Sequence, residues 1–94
     1  MRTRLSPRAR HDLRELVRYI ARDSPRNARL VRDRIKKAVE QLRLHPESGR
    51  PGRVDGMREL VIPRTAHIAA YRITDRTLEI IAFIHESQQW PDDL

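Results

Sequence analysis

Apolar residues in the first half of the chain recur at steps of three and four, which predicts two amphipathic helices. Each helix begins with Ser followed by Pro, at Ser6–Pro7 and Ser24–Pro25, a pair that favours an N-cap and the first helical position. The second helix should end near Leu44, because the residue before Pro46 is disfavoured in helical geometry. The apolar stripes are Ala9, Leu13, Leu16, Val17 and Ile20, then Ala28, Val31, Ile35, Ala38 and Leu42. We therefore expect an antiparallel helical hairpin over residues of about 6–45, with a possible short strand at 2–5.

The second half of the chain has the pattern of a small sheet. Residues 46–56 contain all three glycines and predict turns, and three β-rich segments follow, "MRELVI", "HIAAYRI" and "LEIIAFIH". The last segment is apolar on both faces, which indicates an interior strand. Strict alternation would place its residues on two faces: Leu78, Ile80, Ala82 and Ile84 on one, and Ile81, Phe83 and His85 on the other.

These elements predict one α+β domain over residues 1–94. It combines the N-terminal antiparallel helical hairpin with a small antiparallel β-sheet over about 57–85, and ends in a tail over 86–94. Two helices can cover only one face of such a sheet. The other face is therefore predicted to be a docking groove.

Charge is distributed unevenly along the chain. The whole chain carries +7, but residues 1–46 hold twelve Arg and two Lys against five acids, a balance of +9, and residues 47–94 hold six Arg against eight acids, a balance of −2. A basic first half favours nucleic acid or an acidic protein as partner, and the charge alone does not choose between them. An arginine-rich genome is one explanation for the preference for Arg over Lys, and bidentate contacts with carboxylates or phosphates are another, but genome bias does not explain the asymmetry.

Several classes of protein are disfavoured by composition. The chain has no cysteine, which excludes disulfides and thiolate chemistry, and its four histidines are not spaced as metal ligands. We expect no metal and no cofactor. No apolar segment approaches the length of about 20 residues needed to span a bilayer, and the N-terminus lacks the apolar segment of a signal peptide. We therefore expect a cytoplasmic protein without membrane association.

Four segments, in this order, resemble the ParE/RelE superfamily of type II toxins, the ParE branch more than the RelE branch. They are "DLRELVRYIARDSPRNA", "HPESGRPGRVDGMRELVI", "IAAYRI" and "FIHESQQWP", and the resemblance extends from Ser6 to Pro91. It implies two helices packed on a sheet, and an acidic cognate antitoxin encoded next to the toxin. It also implies either inhibition of DNA gyrase, as in the ParE branch, or cleavage of mRNA on the ribosome, as in the RelE branch.

Two positions favour the ParE branch. RNA cleavage needs cations at the developing negative charge, but Ile68 lies where the RelE branch has a catalytic Arg, and Gln88 and Gln89 lie where another Arg is expected. An amide carries no charge and cannot replace a guanidinium there. The ParE branch ends with His, small residues, Arg, a polar residue and Trp-Pro; His85, Trp90 and Pro91 match, whereas Gln88 replaces the Arg. We expect a gyrase inhibitor with no catalytic residue, and keep an mRNA endoribonuclease or an attenuated toxin that retains only antitoxin binding as alternatives.

The candidate binding residues fall into two groups, one for contact with the target and one for contact with the antitoxin. Three of them have a second interpretation: Trp90 could pack over the end of the sheet, and His85 and Arg72 could simply face solvent. Direct sequence-specific DNA binding is not expected, because the helices have no recognition pattern. Candidates for contact with the target are His85, Gln88, Trp90, Arg58 and Arg64, and candidates for contact with the antitoxin are Arg29, Arg72, Tyr71 and Phe83.

Overall fold

The computed structural model describes residues 1–91 and 94. Two helices, α1 (Pro7–Asp23) and α2 (Pro25–Leu44), pack against each other as the predicted hairpin. Both predicted N-caps are confirmed: the hydroxyl of Ser6 accepts a hydrogen bond from Ala9 N at 3.0 Å, and that of Ser24 accepts one from Asn27 N at 3.1 Å. The predicted end of α2 at Leu44 is also confirmed.

A five-stranded sheet lies under the hairpin in the order β1-β5-β4-β3-β2. The predicted fold class is confirmed with one correction, since the sheet is mixed and not wholly antiparallel. β1 pairs with β5 in parallel, and the other neighbours are antiparallel. β5 is an interior strand, as its apolar faces predict. The strands are β1 (Arg2–Leu5), β2 (Arg50–Pro51), β3 (Arg58–Val61), β4 (His67–Thr74) and β5 (Thr77–His85).

A β-bulge in β5 changes the face to which its side chains point. Tyr71 of β4 pairs with Ile80, whereas the preceding Ala70 pairs with Ala82, so that Ile81 has no partner in the register. An extra residue of this kind breaks the alternation of faces along a strand. The strict alternation predicted for β5 is therefore wrong beyond Ile80.

The bulge explains how β5 contributes to two cores. Leu78 and Ile80 pack towards the helices before the bulge, and Phe83 does so after it, while Ala82 and Ile84 pack on the opposite face. The sequence pattern could not indicate this change, because every residue involved is apolar.

Side chains of the N-cap Ser6 and of Asp12 in α1 continue the edge of β5 where β1 stops. β1 pairs with β5 only as far as Ile80. Beyond it, Ser6 donates its hydroxyl to Ile81 O at 2.7 Å, and Asp12 accepts from Phe83 N at 3.1 Å. These bonds satisfy backbone groups that a longer β1 would have paired, and they fix α1 against the end of the sheet that carries His85.

The face opposite the helices is covered in part, which corrects the prediction of an open groove there. Trp90 from the C-terminal segment and Met57 from the loop before β3 are each 7% exposed and pack on this face of β4 and β5. The chain itself therefore closes much of the predicted docking surface. The buried members of this second core are Met57, Ala70, Ala82, Ile84 and Trp90.

Among residues 1–91 and 94, no helix has the length and apolar character needed to cross a membrane.

Candidate functional site at the C-terminal tail

The segment after β5 (residues 86–91, called the tail below) begins with a turn around the imidazole of His85. Its Nδ1 accepts from Ser87 N at 3.1 Å and lies 2.7 Å from the Ser87 hydroxyl oxygen. Nδ1 acts as the acceptor in this contact, a role that is open to the tautomer with its proton on Nε2. Gln88 closes the turn through its N–H to His85 O at 2.9 Å, and its side-chain oxygen lies 3.4 Å from His85 N.

Trp90 anchors the far end of the tail. Its ring is buried in the second core, and the guanidinium carbon of Arg53 lies 5.6 Å from the ring centroid. Arg53 also donates to the backbone oxygen of Gln88 at 3.4 Å. Of the two interpretations of Trp90, packing over the sheet is the one observed, and a target could contact this ring only if the tail moved.

A buried carboxylate holds the arginine that contacts the tail. Glu59 is 4% exposed, accepts from Arg50 Nε at 2.5 Å, and lies 3.8 Å from Arg53 Nε. Neither Glu59 nor Arg53 is among the binding residues predicted from the sequence. Glu59 alternates with its neighbours along β3 and Arg53 follows the turn at Gly52, but neither pattern indicates that the two side chains meet.

A cleft of about 390 Å³ lies between α1 and the start of the tail. Tyr19, which is 69% exposed, and Arg22 contribute from the helix, and Gln88 contributes from the tail. Tyr19 and His67 were not predicted from the sequence as members of this site. The position of Tyr19 off the apolar stripe of α1 was a usable signal. The side chains that matter most for its chemistry are His11, Tyr19, Arg22, His67, His85 and Gln88.

The rings of His67 and His85 meet at the floor of the cleft. Their centroids are 5.5 Å apart in an edge-to-face arrangement, since the two residues are register partners on β4 and β5. Burial lowers the pKa of His67, the nearby charge of His85 lowers it further, and Glu86 partly opposes both effects. His67 Nδ1 is buried and has no hydrogen-bond partner among the described residues. A neutral His67 is therefore favoured in the folded protein.

The cleft offers hydrogen-bonding and cationic groups, but not a metal site. No group of three histidine or acidic side chains in the described part of the chain is arranged to hold a metal ion. Arg18 lines the cleft and pairs with Glu15 at 3.1 Å. The remaining functional groups suit contact with a polar or anionic surface, or proton transfer between imidazoles.

Two arginines predicted to contact the target lie elsewhere. Arg58 is half-buried and donates to Gly49 O at 2.9 Å, so its guanidinium stabilises the loop before β2. Arg64 is exposed and lines a second cleft, between α2 and β3. Of the five predicted target contacts, the structure brings His85 and Gln88 together in the cleft beside α1.

Two predicted antitoxin contacts need correction, because their side chains belong to the core. Tyr71 has no exposed surface; its hydroxyl donates to Pro46 O at 2.8 Å and accepts from Gly49 N at 3.0 Å. Phe83 is 5% exposed in the core under the helices. The ring of Tyr71 cannot meet a partner without leaving its packing, and Phe83 is accessible only where it lines the cleft beside α1.

The other two predicted antitoxin contacts are accessible. Arg29 is exposed on α2, and Arg72 is exposed on β4, where it pairs with Glu79 at 3.3 Å. These residues stay candidates for contact with a partner.

Comparisons with known proteins agree with this architecture. The family model described as "ParE toxin of type II toxin-antitoxin system, parDE" matches residues 3–90. The chain is 44% identical over 93 residues to "Putative toxin Y4kP" of Sinorhizobium fredii, covering 99% of this chain and 96% of that one. It is 33% identical over 87 residues to "Toxin RelE3" of Caulobacter vibrioides, covering 90% and 94%.

Two solved structures are similar in fold. One is a chromosomal ParDE toxin–antitoxin system from P. aeruginosa; it superposes with a TM-score of 0.80 at 24% identity, and the match covers 90% of this chain and 95% of that one. The other is the RelBE2 toxin–antitoxin complex of Mycobacterium tuberculosis, with a TM-score of 0.59 at 26% identity and coverage of 93% and 92%. Because the family model matches residues 3–90 and a toxin relative is 44% identical over 93 residues, the chain belongs to the ParE toxin family of type II toxin–antitoxin systems.

Proposed function

We propose that this toxin acts by binding and inhibiting DNA gyrase, through the surface formed by the tail and the adjoining part of α1. The observation that carries the proposal is the chemistry at the two positions where RNA cleavage would need cations. Ile68 is 1% exposed and has no charged or hydrogen-bonding group to offer a substrate. The uncharged side chain of Gln88 places its oxygen 3.4 Å from His85 N at the end of β5. A surface that lacks these cations is better suited to binding than to stabilising a pentacovalent phosphate.

The tail is anchored at both ends by contacts within the chain. Trp90 and Arg53 fix its far end and the His85 turn fixes its start, while His85 and Gln88 are exposed between them. Preorganised side chains lose little conformational entropy when a partner binds. The proposed contacts with gyrase are therefore His85 and Gln88, with Tyr19 and Arg22 beside them.

We further propose that an acidic cognate antitoxin, encoded next to the toxin, neutralises it in the cytoplasm. The two similar solved structures are of toxin–antitoxin systems, and the exposed surfaces of α1 and α2 carry most of the positive charge of the chain. Electrostatic complementarity with an acidic chain would speed association and disfavour other partners.

One observation favours a second candidate, ribosome-dependent cleavage of mRNA. His67 and His85 adjoin in a cleft that Arg22 also lines. One imidazole could accept the proton of a 2′-hydroxyl while the other donates a proton to the 5′-oxygen that leaves, with the arginine near the phosphate. The low pKa of His67 would suit it to the role of base.

The test adds purified toxin to a gyrase supercoiling assay and, separately, to a translating extract with labelled mRNA. Loss of supercoiling with intact mRNA supports gyrase inhibition. Cuts in the mRNA that are in phase with codons, and that His67→Gln and His85→Gln each abolish, would contradict gyrase inhibition and support RNA cleavage instead. If neither assay responds but the antitoxin binds tightly, the chain is an attenuated toxin that retains only antitoxin binding.

A further inference from the structure

Glu59 is the only charged residue among residues 1–91 and 94 whose side chain is buried. A carboxylate removed from water is costly unless cations and hydrogen-bond donors offset its charge. Arg50 meets this need at one oxygen, with its Nε 2.5 Å from Oε1. The other oxygen, Oε2, is buried, accepts no hydrogen bond from the described residues, and lies 3.8 Å from Arg53 Nε. Because 3.8 Å is too long for a hydrogen bond, the charge of the carboxylate is what attracts Arg53.

Arg53 contacts the tail at two points. Its guanidinium carbon lies 5.6 Å from the centroid of the Trp90 ring, and its Nη1 donates to the backbone oxygen of Gln88 at 3.4 Å. A cation over an indole face is attracted by the ring, more strongly where water is partly excluded. The buried Nε1 of Trp90 has no hydrogen-bond partner among the described residues. Packing and the contact with Arg53 are therefore what hold this ring in place.

The loop that carries Arg53 is fixed on the same face of the sheet. The N–H of Gly52 donates to Met57 O at 2.7 Å, and a Cβ on Gly52 would lie 2.9 Å from that oxygen, so the close approach requires glycine. Met57 is buried in the second core beside Trp90, and Val54 packs against this core. The loop thus places Arg53 between the buried carboxylate and the tail.

Gln88 connects this arrangement to the cleft on the other side of the sheet. Glu59 pairs in register with Ala70 of the second core, whereas the cleft is lined from the helix side by α1. The backbone of Gln88 is held twice, at its oxygen by Arg53 and at its N–H by His85 O at 2.9 Å. Its side chain lines the cleft. A shift of Arg53 would therefore move a side chain that Glu59 itself does not touch.

We propose that Glu59 is a positioning residue for gyrase inhibition. Acting through Arg53, its buried charge holds the backbone of Gln88 and the ring of Trp90, so that Gln88 presents its side chain to the target in the cleft beside α1. This inference rests on the proposed function, since it takes gyrase as the target of the tail. Glu59 does not line that cleft and makes no contact with the target.

The test follows the position of the tail by the fluorescence of Trp90, the only tryptophan in the chain. Glu59→Gln keeps the size of the side chain and removes its charge, so Arg50 retains an acceptor while Arg53 is released. We expect Trp90 emission at longer wavelength, greater quenching by acrylamide, and half-inhibition of gyrase supercoiling at about tenfold higher toxin concentration. Arg53→Met should have the same effects, whereas Arg53→Lys, which keeps a cation near the ring, should stay close to wild type.

A double variant separates positioning from a general loss of stability. Glu59→Gln with Arg53→Met should inhibit no less than Arg53→Met alone, because the two residues act on the tail in series. The matched control is Glu79→Gln, which removes a carboxylate that also lies between two arginines, 3.1 Å from Arg4 and 3.3 Å from Arg72. It should leave Trp90 emission and gyrase inhibition at wild-type values. Circular dichroism checks that each variant is folded, and Arg53→Met, at a side chain 45% exposed, tests the contact even if Glu59→Gln does not fold.

Changes in both measurements for Glu59→Gln and Arg53→Met, absent from Glu79→Gln, support the proposal. Unchanged Trp90 emission in the folded variants, or additive losses of inhibition in the double variant, would overturn it. If the emission shifts while inhibition stays at the wild-type level, Glu59 holds the tail without positioning it for gyrase, and the proposal is equally overturned. Failure of wild-type toxin to inhibit gyrase would contradict the proposed function, and Trp90 emission would still decide whether Glu59 and Arg53 hold the tail.

Discussion

The carboxylate of Asp12 accepts a hydrogen bond from the backbone N–H of Phe83 across 3.1 Å, and so links α1 to β5 beyond the last residue that β1 pairs. Asp12→Ala would leave this partly buried N–H without its acceptor, which should lower the free energy of unfolding by about 1–3 kcal/mol. Asp12→Asn keeps an oxygen acceptor and should lose less. Urea denaturation of both variants measures the difference, and equal losses would contradict this role for the carboxylate.

The hydroxyl of Tyr71 holds the loop that leads into β2. It accepts from Gly49 N at 3.0 Å and donates to Pro46 O at 2.8 Å, and burial raises its pKa. Tyr71→Phe should lower the free energy of unfolding by about 1–3 kcal/mol, because two backbone groups lose a buried partner. Tyr19→Phe, in which the ring is 69% exposed, is the control and should leave the thermal midpoint within about 1 °C of wild type. A similar change in both variants would argue against the loop contact.

Protonation of His67 should destabilise the fold. Burial and the charge of His85 lower the pKa of His67 in the folded protein, so the unfolded chain binds this proton more readily. The stabilisation that depends on a neutral His67 is complete above the pKa of histidine in the unfolded chain, about 6.5. It declines as the pH falls from there towards the lower pKa of His67 in the folded protein. Chemical denaturation at pH 7.5, 6.5 and 5.5 should show the decline in wild type and a smaller one in His67→Gln. The control is His45→Gln, at the exposed end of α2, in which the wild-type decline should persist.

A cation at position 88 should strengthen toxicity. Gln88 is exposed beside His85, and Gln88→Arg would add a charged donor whose bonds to a partner are stronger than those of an amide. We expect gyrase inhibition at about tenfold lower toxin concentration. Gln89→Arg adds the same charge one residue later, at an equally exposed position, and should change inhibition much less. If both variants gain equally, net charge and not the position explains the effect.

The helices were predictable because their signals are local. Ser6 and Ser24 as caps, Pro46 as a terminator and the apolar stripes all act within a few residues of the positions they determine, and the structure contains each of these features. The interior position of β5 was predictable for a similar reason, since a strand that is apolar on both faces has few other environments.

The features that sequence did not indicate depend on contacts between distant residues. Glu59 and Arg53 meet because the loop before β3 folds back on the sheet, and no spacing rule contains that information. Tyr71 and Phe83 have the composition of a binding surface but pack under the helices. His67 and His85 become neighbours only through the register of β4 with β5.

The unpaired Ile81 makes the orientation of the tail depend on a count of residues, and not on their identity. With one residue fewer in β5, His85 would point away from His67 and the cleft, while the composition of the strand would hardly change. Under the proposed function, a substitution in the tail would change one contact with the target, whereas a single insertion or deletion within β5 would turn His85 and the start of the tail to the other face of the sheet. Among members of this family, gaps in the last strand should be rarer than substitutions in the tail that follows it.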